Sequence, residues 1–183
     1  TTGDFFMKDL LDLGVHTNLG DDREPGVTGE CISMVTPDAE RTMTTHLGIT
    51  QKLSTGELDP DALRNSGTLY IEGYLVSSPT GFEAALEAQS IARQAGVSVA
   101  LTLSDPSMVE SFKTSFDELI TQGVDILFCN IDEASLWTGG TSREESIRLI
   151  GEACPQYAVT CGKDGAIVCD GDGTQSVPGV ATK

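Results

Sequence analysis

The chain has 183 residues, 39% of them hydrophobic, and carries 28 Asp and Glu against 11 Lys and Arg, a formal net charge of −17. That length and apolar content suit one domain of ordinary size with a real core, and apolar residues gathered into organised runs argue against intrinsic disorder. The acidic excess is spread along the chain with no basic cluster, which excludes a protein built to bind the phosphate backbone of DNA or RNA.

No apolar run approaches the roughly 18 residues of a membrane span, and no basic-then-apolar leader pattern opens the chain. The five cysteines (Cys31, Cys129, Cys154, Cys161, Cys169) are odd in number and mostly sit in apolar, strand-like runs. They read as reduced, buried thiols of a cytoplasmic protein, and the lack of a C-x-x-C pair argues against metal ligation.

In chain order, residues 4–13 carry Phe5, Phe6, Leu10, Leu11 and Leu13 at helical spacing, with Gly14 placed to end the helix. A chain that opens almost inside a helix is expected to have been preceded by other residues. Residues 18–26 are polar and turn-rich, a surface loop. Residues 28–36 and 41–47 then flank Pro37-Asp38-Ala39-Glu40, a type I turn signal, and predict a hairpin with neither arm fully buried.

From Asp59 the pattern alternates between strand and helix. Asp59-Pro60 predicts a capped short helix to about Asn65, and residues 68–73 a strand. Residues 80–95 predict a helix stopped by Gly96, and the apolar run 97–103 a strand covered on both faces. After the Ser104-Asp105-Pro106 turn, residues 108–121 read as a helix broken near Thr114. Residues 124–129 form another strand, followed by a short helix from Ile131 and a helix over 141–153 opened by a Thr141–Glu144 capping box. Strands over 157–161 and 166–169 are joined by Gly162-Lys163-Asp164-Gly165, and a turn at 170–173 leads to a last strand near Val177. Repeated strand–helix–strand units argue a parallel sheet with helices on both sides.

Ligands of open α/β sheets bind beyond the carboxyl ends of the strands. That rule selects Glu72-Gly73-Tyr74, Ser104-Asp105, Asn130 with Glu133, and Thr160 with Gly162 to Gly165. Asn130 and Glu133, three apart, share a helix face, where an amide and a carboxylate could orient a hydrated Mg²⁺ and its phosphates. The same spacing fits an N-cap with its N3 partner. Thr160 followed by two glycines could present N–H groups to an anion, or simply close a hairpin. It is no Walker A loop, since Tyr157 and Asp164 occupy positions that need Gly and Ser or Thr. Asp170-Gly171-Asp172-Gly173 breaks the calcium-loop pattern and reads as a surface turn. Trp137 reads as core.

Four stretches occur in this order: VTPDAERTM (35–43), LYIEGYLVSSP (69–79), LFCNIDEA (127–134) and VTCGKDGAIV (159–168). Together they resemble the ribokinase-like (PfkB) family of sugar and nucleoside kinases, nearest its adenosine kinase-like subgroup. The resemblance implies an α/β fold with a doubly wound, mostly parallel sheet flanked by helices. The core would be residues 1–27 and 48–183, incomplete at both ends, and residues 28–47 a β-hairpin lid. It implies ATP-dependent phosphoryl transfer to a hydroxymethyl group of a sugar or nucleoside, with ATP and Mg²⁺ as cofactors. Asn130 and Glu133 match the Asn-x-x-Glu motif that positions Mg²⁺ and phosphates; Thr160, Gly162 and Gly165 match the nucleotide-binding turn. Arg41 matches a lid position that closes toward the transferring phosphate, and Tyr74 an aromatic beside the purine. Partners would be the small-molecule substrate and a second copy through the lid, without nucleic acid or membrane. Two family signatures do not occur: an N-terminal Gly-Gly segment and the Asp-Thr-x-Gly-Ala-Gly-Asp run that ends in the catalytic Asp. The chain is therefore expected to be an internal fragment, inactive alone. The competing expectation is a non-catalytic nucleotide- or sugar-binding module.

Overall fold

The computed structural model describes residues 1–17, 25–38 and 41–181. Most of the loop expected over 18–26, and Ala39 and Glu40 of the hairpin turn, lie outside the described residues. Helix α1 spans Thr2–Asp12 and buries none of its residues. Strands β1 (Glu30–Val35) and β2 (Arg41–His46) pair antiparallel as the expected hairpin, exposed along both arms.

Helix α2 (Pro60–Arg64) starts where the Asp-Pro pair requires it, with Asp59 Oδ1 accepting from the N–H groups of Asp61 and Ala62, both at 3.0 Å. It leads into a six-stranded sheet ordered as the chain runs: β3 (Thr68–Ile71), β4 (Ser98–Thr102), β5 (Ile126–Asn130), β6 (Gln156–Thr160), β7 (Ala166–Cys169) and β8 (Thr174–Val177). The first four strands are parallel and the last two antiparallel. Between them run α3 (Pro79–Gln94), α4 (Pro106–Thr121), α5 (Ile131–Thr138) and α6 (Arg143–Ala153).

This is the expected α/β class: a mixed sheet flanked by helices, with a separate small hairpin. Each parallel crossover among the described residues steps the same way, and right-handed connections then put their helices on one face. That face holds the core. Val99, Leu101, Leu127 and Val159 alternate along neighbouring strands and meet Val109, Phe116, Leu119 and Ile150 from the helices, all fully buried. Each contributes about 1.5–3 kcal/mol of burial. Small residues Ala84, Ala85, Ala88 and Ala92 let α3 lie close to the sheet. On the opposite face Tyr70 and Phe128 stand 54% and 39% exposed, their ring centroids 6.3 Å apart across the small Ala100 of β4.

Polar bonds fix the helix layer. Gln89 on α3 donates from Nε2 to the carbonyls of Leu119 and Gly123, both at 2.9 Å, tying α3 to the end of α4. Trp137 Nε1 donates to Asp117 Oδ1 at 2.9 Å, joining α5 to α4. The break in α4 falls at Phe112, not Thr114. The cap of α6 is Ser142, whose hydroxyl accepts from the Glu145 N–H, while the Glu145 carboxylate reaches back to Thr141. The expected Thr141–Glu144 box is thus displaced by one residue, because Ser142 competes as the N-cap. Cys129, Cys154 and Cys161 are buried as expected, but Cys31 is exposed on β1, since the hairpin has no cover. No helix among the described residues is long and apolar enough to cross a membrane.

Candidate functional site

The carboxyl ends of β4 to β6 open onto a cavity of ≈ 260 Å³ lined by Thr102, Ser104, Phe128, Cys129, Asn130, Glu133, Ala158 and Thr160. A larger cavity, ≈ 380 Å³, lies at the opposite strand ends, lined by Arg93, Asp125 and Gln156 among others. The first is where an α/β sheet receives ligands.

Asn130 ends β5 and caps α5. Its Oδ1 accepts from the Glu133 N–H at 2.8 Å, and Glu133 Oε2 accepts from the Asn130 N–H at 2.9 Å. A third bond runs from Asn130 Nδ2 to Glu133 Oε1 at 2.7 Å. The N-cap reading is therefore realised in full. Glu133 is 4% exposed, and burial pushes its carboxyl above the usual carboxylate range. The Asn130 N–H opposes that rise, and the charges of Asp105 and Asp132 add to it.

Thr160 stands beside Asn130, the two paired in register at the ends of β6 and β5. The chain then makes a tight turn over Gly162–Asp164 before β7, so the hairpin reading of this segment also holds. Gly165 bonds back to the Gly162 carbonyl at 3.1 Å and has φ +95°. A Cβ there would lie 2.0 Å from the Val177 carbonyl oxygen, so the turn requires glycine. Arg143 pairs with Asp164 at 3.6 Å across the turn.

Two further groups lie at the ends of β3 and β4, of which Ser104 lines the cavity. Ser104 has φ +70°, and the Asp105 N–H bonds the Leu103 carbonyl at 2.9 Å across it, forming a γ-turn. Such a turn is strained for a residue with a side chain. Ser104 Oγ donates to Glu72 Oε1 at 2.6 Å. Tyr74, 43% exposed, lies in the turn Gly73–Ser77 after β3. Burial first, then the charges of Asp105, Glu72 and Glu133, raises its phenol above the ordinary tyrosine value.

Asn130, Glu133 and Thr160 thus gather in one cavity, with Gly162 and Gly165 adjoining and Tyr74 within range of the same carboxylates. Arg41 does not join them: it is exposed on β2, opposite Val35, with no bond to the cavity residues among the described residues. Sequence reasoning singled out Ser104 and Glu72 as strand-end residues but missed their bond, because a positive φ on serine has no sequence signal.

The pfkB family carbohydrate kinase profile matches residues 1–183, and the chain belongs to that family. Among curated proteins, the guanosine-inosine kinase of Escherichia coli (strain K12) is 27% identical over 117 residues, 62% of this chain and 27% of that protein. The crystal structure of adenosine kinase from Sinorhizobium meliloti superposes with a TM-score of 0.93 at 30% identity, covering 100% of this chain and 56% of that one. A probable sugar kinase from Rhizobium etli CFN 42 gives 0.92 at 31%, covering 99% and 55%. The chain spans about half the length of these two structures.

Proposed function

We propose that the protein transfers the γ-phosphoryl group of ATP to a hydroxymethyl group of a nucleoside or related sugar. The observation that carries this reading is the side-by-side pairing of Asn130 and Thr160 at adjacent strand ends, with Glu133 bonded to Asn130 behind them. Names of relatives support the nucleoside class: one is an adenosine kinase and another a guanosine-inosine kinase.

The donor set fits a hydrated Mg²⁺ that arrives with the nucleotide. Each Glu133 oxygen accepts one bond from Asn130 and keeps lone-pair capacity, and Mg²⁺ prefers oxygen ligands while retaining waters. Among the described residues no group of three or more His, Cys, Asp or Glu is arranged to hold a metal unaided. Asn130 and Glu133 would orient the hydrated ion, and the Thr160 hydroxyl with the N–H groups of the Gly162–Gly165 turn would hold phosphate oxygens. Mg²⁺–ATP, when bound, supplies the electrophilic phosphorus and neutralises its charge. With so few basic residues, backbone dipoles at these strand ends carry much of the remaining anion binding. Tyr74 would lie against the acceptor, and residues 28–47 would close as a lid carrying Arg41 over a core of residues 1–27 and 48–183.

The Asp-Thr-x-Gly-Ala-Gly-Asp run that would bring the general base does not occur in these 183 residues. That favours a second reading for the chain taken alone, a nucleotide-binding module without turnover. Coupled ADP-release assays on the 183-residue chain and on the product of the complete reading frame test both. Turnover of guanosine, inosine, adenosine or a free sugar by the complete product alone is the expected result. Mg²⁺–ATP binding unaffected by Asn130→Ala would defeat the site assignment.

A further inference from the structure

The geometry points to Asp117, on α4 and outside the cavity, as a positioning residue that sets α5, and with it Asn130 and Glu133, through the indole of Trp137. The inference rests on the kinase reading above and adds to it which residue holds the proposed Mg²⁺–ATP site in place from behind.

Helix α5 is only eight residues long, so little of its own structure fixes where its first turn points. That turn carries both groups of the proposed site, Asn130 as the N-cap and Glu133 at N3. Trp137 follows Glu133 by four residues, which puts the two side chains on one face of the helix. Both are buried, Glu133 at 4% and Trp137 at 8% exposure. Whatever holds the Trp137 ring therefore holds the turn before it.

The ring is held by one bond. Trp137 Nε1 donates to Asp117 Oδ1 at 2.9 Å. Lys113, one turn earlier on α4, donates from Nζ to both oxygens of the same carboxylate at 2.9 and 3.0 Å. That forked contact aims the acceptor at the indole before α5 is considered. Among the described residues, the Trp137–Asp117 bond is the one polar side-chain bond joining α5 to α4. A second grip comes from α6, where the Ser135 and Ser146 hydroxyls share a bond at 3.2 Å. Ser135 lies two residues from Glu133 and off its face, so the face that bears the carboxylate is held through Trp137.

The shape of α4 serves the same contact. Its backbone leaves helical geometry at Phe112 (φ −128°, ψ 28°), and Lys113 and Asp117 belong to the segment beyond that break. No proline or glycine stands in the helix after Pro106 to cause it. Phe116, Leu119 and Ile120 of that segment are buried in the core, which fixes its rotation and leaves Asp117 at its rim beside α5. The Asp117 side chain stays 47% exposed. Replacing it buries no charge and lets water reach the indole N–H, so the effect to look for is on placement more than on folding.

Calorimetric titration of Mg²⁺–ATP into the protein from its complete reading frame tests this, alongside kinetics with the best acceptor among guanosine, inosine and adenosine. Asp117→Ala, Asp117→Asn, Trp137→Phe and the Asp117→Ala, Trp137→Phe double variant are compared. Asp117→Ala and Trp137→Phe are each expected to weaken Mg²⁺–ATP binding about tenfold, the scale on which groups that orient metal ligands act. KM for ATP should rise with it while KM for the acceptor stays unmoved. Asp117→Asn keeps an oxygen for the indole and should bind like the parent. The double variant should be no worse than the worse single variant, since both remove one bond. Val97→Ala, a core truncation at the opposite strand ends, should lower the melting temperature and leave Mg²⁺–ATP affinity unmoved. Parental affinity in Asp117→Ala overturns the inference, as do additive losses, an equal loss in Asp117→Asn, or an equal loss in Val97→Ala. If Asn130→Ala still weakens binding in those cases, the site reading stands without this inference. Binding indifferent to Asn130→Ala as well removes both together.

Discussion

The side chains of Asn130 and Glu133 are joined amide to carboxylate at 2.7 Å, on top of the two backbone bonds of a reciprocal helix cap. The first turn of α5 and the proposed nucleotide site are therefore one device. Removing either side chain should disturb fold and binding together, and the two effects need separate measurements.

Asn130→Ala removes the cap and two of the hydrogen bonds to Glu133. A lost N-cap alone costs about 0.5–2 kcal/mol, and a buried carboxylate left short of a donor adds to it. The expected result in urea unfolding is a lower midpoint with an unchanged slope. Asn130→Asp, which keeps the capping oxygen but faces Glu133 with a second carboxylate, should be at least as unstable near neutral pH.

Glu133 has its carboxyl pushed upward in the folded state, so folding favours the protonated form. Its contribution is fully present below the ordinary carboxylate value of 4.5 and is lost as pH rises through the raised folded value. The stability of the parent relative to Glu133→Gln should therefore fall as pH increases above 4.5, since Gln does not titrate. Chemical unfolding of both proteins from pH 4 to 8 reads this slope, and a flat difference would refute it.

Gly73→Ala places a methyl against the Thr102 carbonyl, where backbone must shift. Overpacking of this kind costs about 1–3 kcal/mol. Thermal unfolding should show the loss, whereas an alanine at Gly162, which meets nothing within 4 Å, faces only the cost of its positive φ.

The thiols should fall into two classes. Burial raises Cys154 to about 11 and Cys129 further still, so neither forms thiolate at neutral pH. Cys31 is exposed on β1. Iodoacetamide followed by mass spectrometry should label Cys31 under native conditions, and Cys129 and Cys154 only after denaturant.

Element types were legible because local chemistry dictated them. Asp59-Pro60 opened α2, the apolar run 97–103 became β4, and Pro-containing turns preceded α3 and α4. Boundaries slipped where two candidates competed, as at Thr141 and Ser142. The α/β class with its mostly parallel, helix-flanked sheet was legible from the strand–helix alternation after Asp59. The site divides similarly. The gathering of Asn130, Glu133 and Thr160 followed from their strand-end positions. The strained Ser104 did not, because a positive φ on serine leaves no mark in the sequence.

Strands β3 to β8 are laid down side by side in the order of synthesis. Each newly made strand from β4 to β8 follows its partner in the chain, so this part of the sheet can be extended one strand at a time. Each parallel pairing still has to close a crossover that contains a helix, so the contacts between these strands are distant in sequence. Such a sheet can assemble in step with translation, and Thr160 reaches Asn130 only when β6 docks beside β5.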